Sequence, residues 1–217
     1  ARQGGASGCV ETGAFGKEAY ILTGYFNLPK VLEITLNNGF DPVSGLRLGI
    51  QTGDPKGFSS FDELFDAYRR QLHHFIDIKV QGNYMIEKLY ATRMPVPFLS
   101  ICVDDCIQKG MDYNAGGARY NTSYIQGVGI GTLTDSLAAI QYNIFDNQRF
   151  TMAELLAALQ DNFVGHDRLH HWVCEKTPKY GNDDDYADAL MIRAFRAYHD
   201  EVTGRSNRKG GFYRIDM

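Results

Sequence analysis

The strongest constraint in this chain is a proline-free stretch that opens at Ser60 and ends before Pro95. Ser60 followed by Glu63 has the pattern of a capping box, in which a hydroxyl and a carboxylate satisfy the first free amides of a helix. Behind it Phe61, Leu64, Phe65, Tyr68, Leu72, Phe75 and Ile76 keep a 3.6-residue period, and Ile86, Leu89 and Tyr90 continue it. The spacing predicts one long helix, broken near Gly82 and stopped by Pro95. A helix of that length has an apolar face that must be covered, so the rest of the chain has to pack around it.

The remaining segments read as helices joined by glycine- and proline-rich turns. LPKVLEITLNN, from Leu28 to Asn38, places Leu28, Val31, Leu32 and Leu36 on one face, with Pro29 in the first turn and Gly39 as a stop. LRLGI, within the connection that follows, has the character of a short strand. A second capping box, Thr151 with Glu154, opens MAELLAALQDNF, and a last helix is expected from Tyr186 towards Val202. GGFYRIDM reads as a strand just beginning. No internal repeat or low-complexity segment is evident.

Composition narrows the function classes. With 44% hydrophobic and 22% charged residues this is an ordinary globular composition. A net charge of -4 and a pI near 5.9 provide no basic footprint for nucleic acid. No apolar run approaches the roughly 20 residues of a membrane helix. Cys9, Cys102, Cys106 and Cys174 do not form a disulfide framework in a chain this long, so a reducing cytoplasm is the expected compartment. The glycine-rich start and the strand-like finish suggest an internal piece of a longer protein.

Several side-chain clusters invite a chemical reading. Cys102 and Cys106, in CVDDC, could share a helix face, but two further zinc ligands are wanting and Lys109 stands where an iron–sulfur site would need a cysteine; buried structural thiols are expected. His166, His170 and Cys174 repeat every four residues, a spacing that could make a metal face and that also arises on any amphipathic helix; no metal is expected. Asp183, Asp184 and Asp185 lack the alternation of a calcium loop and suit a helix N-terminus. Gly127, Gly129 and Gly131 miss a dinucleotide fingerprint because Thr132 occupies its last position; close backbone packing at a helix start explains them better. Arg119, after the glycine turn of GGARYN, could face a substrate or a partner.

The opening tract, GGASGCVETGAFGKEAY, sets Cys9 one residue from Glu11 on a glycine-rich backbone. A thiolate nucleophile needs a nearby cation, and Glu11 would raise the thiol pKa, with Lys17 as the cation to offset it. An inert loop cysteine is the plain alternative. A third reading makes the thiol a hydrogen-atom carrier, for which thiolate formation is irrelevant. Glu11 then moves a proton while Cys9 moves a hydrogen atom, and slim glycines let the loop thread a closed site.

SGCVETGAFGKEAYILTGYFNLPK resembles the cysteine-loop region of the glycyl radical enzymes, the pyruvate formate-lyase-like superfamily. The resemblance extends through PVPFLSICVDDCIQKGMDYNAGGARYN, VGIGTLTDSLAAI and TPKYGNDDDYAD, and so spans essentially the whole chain. The Cys-Val-Glu core is that of the dehydratase and lyase branch, and Glu-Thr-Gly with GKEAYILTGYFNLPK looks most like the enzymes that dehydrate trans-4-hydroxy-L-proline. The resemblance implies an α/β fold, part of a ten-stranded barrel of two half-barrels, with the cysteine loop at its centre and this segment mostly helical. It implies that Cys9 is the thiyl radical residue, Glu11 the catalytic acid/base, and Tyr25 a tyrosine beside the substrate. It further implies a glycyl radical on a glycine outside this chain, since no RVxGY-type loop is present. Residues 1–217 would be an internal segment lacking the N-terminal half and the glycine radical domain, inactive by itself. A radical S-adenosylmethionine activating enzyme with an iron–sulfur cluster, the rest of the same polypeptide and a second copy in a homodimer are the implied partners, in an anaerobic setting. Other diol, choline or related dehydratases and lyases, or a non-catalytic relic that binds a partner, are the competing readings.

Overall fold

A computed structural model describes residues 4–7 and 11–217. In chain order the elements are β1 (Gly4–Ser7), β2 (Glu11–Ala14), β3 (Glu18–Asn27), α1 (Leu28–Leu36), β4 (Phe40–Asp41), β5 (Leu46–Arg47), α2 (Phe61–Arg93), α3 (Pro97–Ser100), α4 (Cys106–Lys109), β6 (Tyr120–Val128), α5 (Ile130–Ile140), α6 (Met152–Gln160), α7 (Asp167–Glu175), α8 (Asp185–Val202) and β7 (Tyr213–Asp216). The chain divides into two units, one of Ala1–Phe26, Ile76–Val128 and His199–Met217, the other of Asn27–Phe75 and Gly129–Tyr198.

The first unit is organised by a sheet of order β3-β6-β7. β7 runs parallel to β6, with Ser123 opposite Tyr213 and Ile125 opposite Ile215. The later part of α2 covers this sheet through Ile76, Val80, Asn83 and Glu87, all buried and spaced for one helix face. Two of these four are polar, and each is satisfied. Asn83 Nδ2 donates to Thr23 Oγ1 at 2.9 Å. Glu87 accepts from Ser123 Oγ at 2.7 Å, from the Arg208 amide at 2.9 Å and from the Tyr213 hydroxyl at 3.3 Å. One carboxylate therefore joins the helix to β6, to β7 and to the turn that precedes β7. Met85, Ile86, Leu89 and Tyr90, further along α2, are exposed.

The second unit is helical. α1 starts at Asn27, whose side chain accepts from the Lys30 amide at 3.1 Å, and packs against α5. Their approach is close at the start of α5: Gly129 has φ +83, and a Cβ there would come within 2.7 Å of Pro29. Glycine is thus demanded twice over at this position, by dihedral and by space. The early part of α2 adds Phe61, Leu64, Phe65, Tyr68 and Leu72 to the core, while Gln71 clamps the Ile50 backbone with both amide groups. Arg193 of α8 pairs with Asp62 at 2.7 Å and lies 4.0 Å above the Phe65 ring, closing the exposed edge of this core with a stacked guanidinium.

Most predicted elements are present, and their differences from expectation have local causes. α2 runs unbroken through Gly82, because nothing approaches that glycine and one exposed glycine costs a helix only about 1 kcal/mol. The first capping box is displaced by one residue. Ser60 Oγ accepts from the Glu63 amide at 3.3 Å as expected, but the Glu63 carboxylate reaches back to Ser59, its amide at 2.7 Å and its hydroxyl at 3.0 Å. The Thr151–Glu154 box is complete. The strand in LRLGI is short, Leu46–Arg47 against Phe40–Asp41. α8 begins at Asp185 with Asp184 accepting from the Tyr186 amide at 3.0 Å, so the aspartate run does serve a helix N-terminus.

Candidate active site

The cysteine tract folds locally as a β-hairpin. β1 and β2 pair antiparallel, from Gly4 opposite Ala14 to Ser7 opposite Glu11. Cys9 itself lies outside the described residues, as do its two neighbours. Glu11 opens β2 and stands in the closing pair of the ribbon, opposite Ser7. The glycines at 4, 5 and 13 are thus members of a paired ribbon, a use of slim backbone that a loop reading did not anticipate.

The hairpin is tied to the sheet by Glu18. Its carboxylate accepts from the Ala14 amide at 3.1 Å, where β2 ends, and from the Tyr124 hydroxyl of β6 at 3.4 Å. Tyr124 stacks on Tyr20 of β3 with ring centroids 4.1 Å apart and an interplanar angle of 21°. The Tyr20 hydroxyl donates to Asp216 of β7 at 2.6 Å. Burial, reinforced by the negative charge of Glu18, raises the pKa of Tyr124, so its hydroxyl is a neutral donor at physiological pH. Three strands are therefore cross-linked by two phenols and two carboxylates at the root of the hairpin.

Tyr25, near the far end of β3, is 68% exposed, and its hydroxyl has no hydrogen-bond partner among the described residues. It stands beside Gly24, which has φ +120, and is followed by the buried Phe26. Thr23 is held from three sides: its Oγ1 donates to the Tyr124 carbonyl at 2.8 Å and accepts from Asn83, and its carbonyl accepts from Lys79 Nζ at 2.6 Å. Burial lowers the pKa of Lys79 from its ordinary value. The first unit thus holds Glu11 and Tyr25 on neighbouring strands in sequence, one on the hairpin and one on the strand that the hairpin leads into.

The other sequence candidates separate from this region. Lys17 pairs with Asp104 at 3.7 Å, which engages the cation that could have offset Glu11. Arg119 is engaged by Asp105, with nitrogen–oxygen distances of 2.8 and 3.2 Å, and does not present a free cation. The expectation of two buried thiols on one helix face is half wrong. Cys106 is buried, and that burial raises its pKa, but Cys102 is exposed. Asp105 takes φ +77 between them, so α4 starts afresh at Cys106 and the i,i+4 relation is lost. On α7, Cys174 Sγ is 3.4 Å from His170 Nε2, and His166 turns away to Asp161 at 2.9 Å. Among the described residues no three His, Cys, Asp or Glu side chains converge as metal ligands, and no helix is long and apolar enough to cross a membrane.

Lys79, Asn83 and Glu18 were missed by sequence reasoning. The first two carried a legible signal, a polar pair four residues apart, Asn83 within the buried stripe of α2 and Lys79 next to it. Glu18 carried none, because its role depends on β6 arriving from a hundred residues away.

Comparison with known proteins adds to this geometry. The sequence pattern of the pyruvate formate lyase-like family matches residues 1–217. The chain is 62% identical over 217 residues to trans-4-hydroxy-L-proline dehydratase of Clostridioides difficile, covering 100% of this chain and 28% of that protein. It is 38% identical over 206 residues to (2S)-3-sulfopropanediol dehydratase of Klebsiella oxytoca, covering 94% of this chain and 25% of the other. Its structure superposes on that of the C. difficile hydroxyproline dehydratase with its substrate bound at a TM-score of 0.97, over 99% of this chain and 27% of that one. The glycerol-bound B12-independent glycerol dehydratase of Clostridium butyricum gives a TM-score of 0.92 at 35% identity, again over 99% of this chain and 27% of the other. The chain spans little more than a quarter of the length of these relatives, and it has the α/β fold of the corresponding stretch of glycyl radical enzyme barrels.

Proposed function

The chain belongs to the pyruvate formate lyase-like family, and from that premise we propose that it is the cysteine-loop segment of a glycyl radical dehydratase that removes water from trans-4-hydroxy-L-proline. The observation that carries the substrate is the 62% identity maintained over the full 217 residues, against 38% to the sulfopropanediol enzyme. The segment acts within the full-length enzyme and is inactive without the remainder of that polypeptide.

In this reading Cys9 is the hydrogen-atom carrier. A radical held on a glycine elsewhere in the polypeptide supplies the unpaired electron, and a radical S-adenosylmethionine activating enzyme with an iron–sulfur cluster installs it. The Cys9 sulfur takes a hydrogen atom from the ring carbon next to nitrogen. The neighbouring hydroxyl then departs as water, with Glu11 delivering the proton it needs. The ring nitrogen gives up its own proton as the carbon–nitrogen double bond forms, which restores the Glu11 carboxyl and leaves the unpaired electron on the carbon that lost the hydroxyl. Cys9 returns its hydrogen atom, so the thiol ends as it began and the net change is loss of one water to give 1-pyrroline-5-carboxylate. Tyr25 contacts the substrate, and its exposed ring, with a hydroxyl that has no hydrogen-bond partner among the described residues, supports that role. The whole enzyme works anaerobically in the cytoplasm as a homodimer.

The test uses the full-length protein, activated anaerobically and supplied with hydroxyproline. A glycyl radical signal in paramagnetic resonance together with pyrroline carboxylate as product is the expected result. Cys9→Ala should keep the signal and abolish the product. Turnover of glycerol or a sulfonated diol in place of hydroxyproline would move the substrate to another branch of the family, and activity in the Cys9→Ala protein would remove the radical mechanism.

A further inference from the structure

The long helix and strand β3 meet at a point that bears on the orientation of Tyr25. Lys79 Nζ donates to the Thr23 carbonyl at 2.6 Å. That carbonyl belongs to the peptide plane shared by Thr23 and Gly24, and the dihedrals on either side of this plane decide where residue 25 points. Gly24 sits at φ +120, outside the range that side chains favour, and a Cβ there would come to 3.0 Å from Lys79 Nζ. A side chain at position 24 would therefore meet the ammonium as well as an unfavourable dihedral. Asn83, one helical turn on from Lys79, holds the hydroxyl of the same threonine at 2.9 Å, and that hydroxyl in turn holds the Tyr124 carbonyl at 2.8 Å.

A bond this well supported is more than a strand needs for its own stability. β3 already has β6 as its neighbour in the sheet, and the carbonyl could have been left to a water. A lysine whose charge is spent on one carbonyl fixes a plane rather than neutralising an acid. Directly after that plane comes Tyr25, 68% exposed, its hydroxyl without a hydrogen-bond partner among the described residues.

We infer that Lys79 is the positioning residue for Tyr25: by pinning the Thr23–Gly24 peptide it sets the angle at which the Tyr25 ring meets the substrate. The inference rests on the assignment of Tyr25 to the substrate and adds the element that aims it. Lys79 takes no part in the chemistry, so its loss should disturb substrate engagement while leaving radical formation intact.

The experiment compares Lys79→Met and Lys79→Arg in the full-length, anaerobically activated enzyme, each in the parent and in a Tyr25→Ala background. Misplacing a substrate contact by an ångström is worth on the order of 10- to 100-fold, and Lys79→Met should lose roughly that much kcat/KM for hydroxyproline, chiefly through KM. Glycyl radical content should equal the parent's. In the Tyr25→Ala background the same substitution should change kcat/KM by no more than about two-fold, because the two side chains act as one unit. Lys79→Arg, which keeps a charged donor, should recover most of the loss. Should Lys79→Met lower the radical content through misfolding, Gly24→Ala disturbs the same peptide from the other side and should reproduce the KM defect with the same dependence on Tyr25. An equal loss in both backgrounds, or none in either, overturns the inference. A Tyr25→Ala enzyme with parental KM would instead overturn the substrate assignment on which it stands.

Discussion

At the scale of single residues, the proposed function turns on a thiol and a carboxylate given different work. If Cys9 exchanges hydrogen atoms and Glu11 moves a proton, removing the proton source slows turnover without touching the radical. Glu11→Gln should lower the hydroxyproline rate by about 10²- to 10⁴-fold, with an undiminished glycyl radical signal measured on the same sample. Lys209 makes a second, independent prediction. It is 5% exposed, its ammonium has no hydrogen-bond partner among the described residues, and burial lowers its pKa to about 8. An unfolded lysine titrates near 10.5, so between pH 8 and 10.5 the unfolded chain binds the extra proton and stability rises with pH; below pH 8 the penalty is constant. The full span is about 3 kcal/mol. Denaturant unfolding should show the rise, and Lys209→Met should remove it while increasing stability at pH 7. Of these residues Cys9, Glu11 and Tyr25 were singled out in the sequence through a motif. Lys209 was invisible, because its burial depends on a turn folding back beside β6, which no local pattern encodes.

At the scale of elements, periodicity and end signals were most informative where a helix begins and ends on its own residues. Thr151 and Glu154 satisfy each other's backbone without help from elsewhere, so four residues sufficed to place the start of α6. Thr151→Ala should therefore loosen that end by about 1 kcal/mol, read as roughly five-fold faster hydrogen exchange in the first turn of α6, with α5 unaffected. The Ser60–Glu63 box shows the limit of the same reasoning: the spacing located the helix, but the carboxylate chose Ser59, a difference of one peptide set by the direction from which the chain enters. The hairpin β1–β2 escaped the sequence reading for a different reason. Its strands are rich in glycine and have no alternation of apolar residues, so the pairing is specified by its ends and by Glu18 rather than by pattern. β3 escaped the sequence reading as well, since Gly24 interrupts the two-residue period that would have declared it.

At the scale of the molecule, the fold class was accessible through resemblance more than through physics. The sheet order β3-β6-β7 brings together strands that lie far apart in the chain, and such pairing leaves no mark on any one of them. What does mark the sequence is the buried stripe of α2, including the asparagine and glutamate whose partners arrive from β3, β6 and β7. A different face of that helix has its own consequence. Met85, Ile86, Leu89 and Tyr90 form a greasy ridge open to water, and ridges of that kind adhere to whatever is nearby. Residues 1–217 prepared alone should self-associate as concentration rises, seen as a growing mass in light scattering. Replacing Ile86 and Leu89 by lysine should keep the preparation monodisperse, while the same pair of changes in the complete enzyme should hinder its folding.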